Sequence, residues 1–117
     1  MDILNTIVEG ANQHLDQARK KLGITENNIL IPQTKVTTNP KFKIYKTCIF
    51  TLWLVSRRGK IKLYEYVLNN VRASSDKEGI RALKDEVSFK LVDWLISWGN
   101  TENYQKIVRD EYTGDAL

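Results

Sequence analysis

One histidine, His14, and one cysteine, Cys48, are the side chains from which a nucleophile and its general base would most readily be assembled. They fall in different elements, neither has a neighbour in sequence that would activate it, and no third group presents itself to orient the base. The plainer reading makes Cys48 a small core residue and sets His14 on the rim of a helical stripe. Adjacent carboxylates at Asp85-Glu86 and Asp110-Glu111 suggest an acid/base pair, but neighbouring helix positions point about 100° apart. The spacings Arg81 to Asp85, Glu86 to Lys90 and Glu102 to Lys106 instead match ion pairs on a solvated helix surface. The glycines at 10, 23, 59, 79, 99 and 114 form neither a phosphate loop nor a dinucleotide fingerprint. A lone cysteine rules out an intramolecular disulfide and a Cys-based zinc cluster, and suits a reducing, cytoplasmic compartment. The expectation is a protein that is not an enzyme, with no metal site and no cofactor.

What stands out instead is charge. Residues 35–62 carry eight of the eighteen Lys and Arg and no acidic residue, with Phe42, Tyr45, Phe50 and Trp53 set among them. The segments before Asn27 and from Glu65 onward are each net acidic, so the net charge of +4 is local. Lysine and arginine neutralise phosphates and an aromatic ring stacks on a base. The candidate nucleic-acid-binding residues are therefore Lys35, Lys41, Lys43, Lys46, Phe50, Arg57, Arg58, Lys60 and Lys62. On a helix, Lys43, Lys46 and Arg57 flank Phe50 on the solvent side. In a hairpin, Lys41, Lys43 and Tyr45 share a face with Thr51 and Trp53, a platform of the kind that stacks single-stranded bases. No sequence-reading motif accompanies the patch, so contacts to the nucleic-acid backbone are expected to dominate.

The elements that must position these residues can be read from periodicity. At 117 residues the chain is expected to be one domain, 1–117. Ile3, Leu4, Ile7, Val8, Ala11, Leu15, Ala18 and Leu22 fall within an arc of about 140° on a helix. Asp2 begins that helix and Gly23 ends it. Residues 24–39 lack helical periodicity and read as a long internal loop, with a short extended piece at 29–31. Residues 40–58 fit either a helix capped by Asn39-Pro40 or a strand, and the following stripe of Ile61, Leu63, Tyr64, Val67, Leu68 and Val71 favours helix. The expected fold is thus all-α, a single domain of about five helices. The alternative is α+β, with an antiparallel hairpin at 41–68 packed on helices.

Ser75-x-x-Glu78 is a capping box opening a helix that runs to about Trp98. Its main stripe is Ile80, Leu83, Val87, Leu91, Trp94, Leu95 and Trp98, and a second, Phe89, Val92 and Ile96, lies opposite. That short apolar patch rimmed by polar groups suits an interface, so Phe89, Val92 and Ile96 are candidate partner-binding residues, for a homodimer or a larger assembly. A last helix carries Tyr104, Ile107, Val108 and Tyr112, and 113–117 reads as a frayed tail. With Asp2 acidic and no basic region ahead of an apolar core, the N-terminal residues are not expected to be a signal peptide, and the apolar run 48–55 is far shorter than a membrane span of about 20 residues. The expected function is nucleic-acid binding. The alternative is a protein-interaction module, such as an adaptor, an inhibitor or a small subunit, that meets an acidic or apolar surface.

Overall fold

In the computed structural model, which describes residues 2–25 and 28–114, six elements follow in the order α1 (Ile3–Leu22), β1 (Ile29–Thr38), β2 (Tyr45–Ser56), β3 (Gly59–Arg72), α2 (Asp76–Trp98) and α3 (Glu102–Val108). The strands form one antiparallel sheet in the order β1-β2-β3. Among the described residues the fold is α+β, which overturns the all-α expectation of about five helices. The alternative hairpin is present as β2 and β3, which turn at Arg57 and Arg58, and residues 29–38 of the expected loop are the third strand. Positions 26–27 of that loop and 115–117 of the expected frayed tail lie outside the described residues.

Strand wins in β2 because its side chains alternate. Lys46, Cys48, Phe50, Leu52 and Leu54 are buried, while on the other face Tyr45 is exposed, Thr47, Ile49, Trp53 and Val55 are only half-buried, and Thr51 alone is buried. In β3 the alternation is disguised. Two irregularities in the pairing with β2, opposite Leu52/Trp53 and opposite Lys46/Cys48, insert extra residues around Leu63 and Asn69-Asn70, where Asn70 adopts a φ of 57°. Ile61, Tyr64, Tyr66, Leu68 and Val71 therefore all pack against the core, although the steps from 61 to 64 and from 68 to 71 are three residues long. Those steps imitate helical spacing, and Glu65, which simple alternation in register with Ile61 would send inward, points to the opposite face.

Both long helices cover the face of the sheet that carries Cys48, Phe50, Leu52 and Leu54. Leu4, Val8 and Leu15 of α1, Leu83, Val87, Leu91 and Trp98 of α2, and Tyr104, Ile107 and Val108 of α3 complete that core. The Asp2 carboxylate caps α1 by accepting from the Leu4 and Asn5 amides, and Gly23 closes it at a φ of 70°. The same carboxylate lies 3.0 Å from Lys84 Nζ, joining α2 to the start of α1. At the head of α2, Ser75 Oγ accepts from the Glu78 amide, and Glu78 reaches back to Ser74 rather than Ser75, accepting from its amide and hydroxyl at 2.9 Å. Those bonds hold the Glu78 carboxyl below its ordinary range. A Cβ on Gly79 would stand 3.0 Å from Cys48 Sγ, so the first turn of α2 sits directly on β2 only because that side chain is missing. Thr101 caps α3, which ends at Val108, short of Tyr112.

Of the two sheet edges, β1 is guarded by α1. Asn12 Nδ2 donates to the Leu30 carbonyl at 2.9 Å and Asn12 Oδ1 accepts from the Leu30 amide at 2.8 Å, so one side-chain amide stands in for a neighbouring strand. Alternation then turns the backbone nitrogen of Pro32 to the same edge, where it has no hydrogen to offer. Arg19, buried in the same region, donates to the Asn28 carbonyl at 3.0 Å, and Asn28 donates to the Ile107 carbonyl at 3.3 Å, which fastens α3. Burial holds the Arg19 guanidinium below its usual pKa, against the opposing pull of Asp16 and Asp110. Asn12→Ala strips both Leu30 bonds from a partly buried site. Urea unfolding is expected to show a loss of about 1–3 kcal/mol, and an unchanged midpoint would mean the bonds are not part of what holds α1 to the sheet.

Candidate nucleic-acid interface

The described helices leave the second face of the sheet open. Strand register arranges it in rungs: Ile29, Val55 and Lys60; Ile31, Trp53 and Lys62; Gln33, Thr51 and Glu65; Lys35, Ile49 and Val67; and, at the far end, Tyr45 with Arg72. Lys35, Lys60, Lys62 and Arg72 are exposed, as are Ile29, Ile31, Tyr45 and Val67. Trp53, on the central strand, is held in place from its edge and its face. Its indole Nε1 donates to Gln33 Oε1 at 2.8 Å, and Lys60 Nζ stands 4.3 Å from the ring centroid. Among the described residues of the sheet, Glu65 is the one carboxylate on this face, and it pairs with Lys62 at 3.2 Å.

Charge follows the layers. Residues 28–72, the strands and their connections, hold nine Lys and Arg against one acidic residue, Glu65. The remaining described residues, mostly helical, hold nine against eleven. The molecule therefore has a basic sheet layer backed by a weakly acidic helical layer.

Of the nine residues expected from sequence, Lys35, Lys60 and Lys62 lie on the open face. Lys41 and Lys43 are exposed on the β1–β2 connection, and Arg57 is exposed at the β2–β3 turn, 3.9 Å from the Asp110 carboxylate. Three others have structural roles. Phe50 is 0% exposed in the centre of the core, so it cannot stack on a base, and its assignment is corrected. Lys46 is buried on the helix-covered face, donating to Thr38 Oγ1 at 3.1 Å and to the Lys43 carbonyl at 3.3 Å, with Asp76 at 4.0 Å. Arg58 turns back to the segment after α3, donating to the Asp110 carbonyl at 2.6 Å and facing its carboxylate at 3.5 Å. In their place stand Trp53 and Tyr45, which the hairpin alternative had put on one face, and Arg72, outside the basic segment, which only its pairing with Tyr45 brings in.

The other candidates separate in space. Cys48 meets Gly79 at the start of α2, whereas His14 stacks on Tyr104, with centroids 5.9 Å apart, near the helix's other end. Gly79 and Trp98 are nineteen residues apart on α2, roughly 28 Å, so no Cys/His pair forms. Burial pushes the Cys48 thiol pKa up. Among the described residues no group of three His, Cys, Asp or Glu side chains is placed to hold a metal ion, and no helix is long and apolar enough to cross a membrane. Phe89 and Ile96 are 81% and 65% exposed, and Val92 is 37% exposed. Val92 and Ile96 also line a groove with Ile7, Ala11, Trp98 and Tyr104. No family model, curated protein or solved structure matches this chain.

The corrected role of Phe50 is directly measurable. Phe50→Ala should cost about 3–5 kcal/mol of stability, as loss of a core aromatic does. A variant as stable as the wild type would return Phe50 to the surface and contradict the packing.

Proposed function

We propose that the chain is a small cytoplasmic nucleic-acid-binding module that takes a single strand on the open face of its sheet, mainly through backbone contacts. The observation that carries this reading is the coincidence of charge and geometry: Lys35, Lys60, Lys62 and Arg72 share the one uncovered face with Trp53 and Tyr45. A single strand suits it better than a duplex, because ring-on-base stacking needs bases that are not already stacked in a helix. Phosphates meet the cations, the exposed isoleucines and Val67 lie under sugars and bases, and nothing in the pattern selects one base over another.

Fluorescence anisotropy with a single-stranded oligonucleotide at low salt should show binding. Four phosphate contacts at about −0.7 each give a slope near −3 in log affinity against log salt. Trp53→Ala should lose about 1–3 kcal/mol of binding, and Lys60→Glu with Lys62→Glu should nearly abolish it. Absence of binding to any single strand at low salt, or affinity unmoved by either variant, contradicts the proposal.

A protein-interaction module is the second reading, favoured by the exposure of Phe89 and Ile96 beside the α1–α2–α3 groove. Here the wild type should sediment above its monomer mass at high concentration, and Phe89→Glu with Ile96→Lys should return a folded monomer. A wild type that stays monomeric at every concentration removes the homodimer.

A further inference from the structure

The connection between β1 and β2, residues 39–44, is an ordered tip. Asn39 Oδ1 accepts from the Lys41 amide at 2.9 Å and the Phe42 amide at 3.2 Å. The Tyr45 amide donates to the Phe42 carbonyl and the Asn39 amide to the Tyr45 carbonyl, both at 2.9 Å. A chain closed by four such bonds has little reason to hold an aromatic side chain in water, yet Phe42 is 61% exposed and Ile44 42%. The Phe42 ring meets the Tyr45 ring edge-on, with centroids 6.5 Å apart and planes at 78°. Lys41 and Lys43 flank it, and Arg72 lies opposite Tyr45. This is a second aromatic and cationic cluster at the opposite end of the open face from Trp53. Tyr45 and Trp53 are eight residues apart on the central strand, which is about 26 Å along it. Lys35 lies on the same face between them.

We infer that this tip is a second stacking station and that, together with Trp53, it sets the length of single strand the sheet takes; the inference rests on the nucleic-acid reading above. At the 3.4 Å spacing of stacked nucleotides, 26 Å corresponds to about eight nucleotides, and a stretched strand covers it with fewer. A strand shorter than that reaches Trp53, Lys60 and Lys62 but not Phe42. A strand long enough meets an aromatic ring at each end and cations along the way. Charge complementarity singles out the polyanion as occupant, because the tip and the face leading to it carry Lys35, Lys41, Lys43 and Arg72, while the carboxylates nearby are already matched, Glu65 with Lys62 and Asp76 with Lys46.

The test measures the affinity of the full chain for oligothymidylates of about 3, 6, 9 and 12 nucleotides, a range within the usual span of single-strand sites, for the wild type and for Phe42→Ala. Circular dichroism first establishes that the exposed substitution leaves the fold intact. The wild type should gain affinity steeply between about 3 and 9 nucleotides and little thereafter. Phe42→Ala should bind the shortest strand as the wild type does and the longer ones about tenfold more weakly, whereas Trp53→Ala should weaken all lengths. If the wild type binds and Phe42→Ala matches it at every length, the second station is refuted while the sheet-face reading stands. If the wild type binds no strand, both fall. A parallel flotation with phosphatidylcholine vesicles containing phosphatidylserine checks the other surface such a tip fits: vesicle binding lost in Phe42→Ala, with oligonucleotide binding unchanged, makes the tip a membrane contact and overturns the inference.

Discussion

Everything in this molecule follows from the packing of one strand. Cys48, Phe50, Leu52 and Leu54 of β2 are between 0% and 1% exposed, with α2 packed over β2 and α1 over β1 and α2 in the same core. A chain of 117 residues supports one hydrophobic core. Once both long helices are committed to the same face, no helix among the described residues remains for the other. The side chains there must tolerate water or meet something else. Trp53 shows the compromise, half-buried, with its indole hydrogen on Gln33 and its ring under Lys60. A tryptophan so fixed has little side-chain freedom left to lose on binding.

Concentrating cations on one layer costs self-repulsion, which solvent screens beyond a Debye length of about 8–10 Å. The structure relieves part of that cost by giving two of the cations internal duties. Lys46 is drawn under the start of α2, where Asp76 offsets the unfavourable end of the helix dipole, and Arg58 fastens the segment after α3 through Asp110. What remains on the open face is a spaced set, Lys35, Lys60, Lys62 and Arg72, with Glu65 holding only Lys62. Cations spaced along an open sheet face fit a chain of phosphates better than a single compact acidic group.

The two long helices were legible in the sequence because their ends are written in side chains that act locally: Asp2 and Gly23 for α1, Ser75 and Glu78 for α2. The sheet was not, for two physical reasons. Bulges in β3 convert a period of two into steps of three, so Ile61, Tyr64, Leu68 and Val71 fall into a helix-like stripe. In β1, an edge strand with one open face, Pro32 and the polar run of Gln33, Thr34, Lys35, Thr37 and Thr38 resemble a loop, and only pairing with β2 makes them a strand. The candidate site was legible as a charge cluster, since that needs counting alone. Its membership was not, because inward Lys46 and Phe50 differ from outward Tyr45 and Trp53 only by their parity on a strand that had to be recognised first. Arg72 enters through register and leaves no local signal at all.

If the chain binds a single strand as proposed, the strand should meet the uncovered sheet face and not the helices. Titrating the isotope-labelled protein with an unlabelled single-stranded oligonucleotide, and following amide and indole resonances, tests it most directly. The Trp53 indole Nε1–H and the amides around Lys35, Ile49, Lys60, Lys62 and Arg72 should shift, while those of Ile7, Ala11 and Ile96 along the helical groove stay still. Shifts confined to the groove, or none anywhere at a saturating excess of strand, would contradict it.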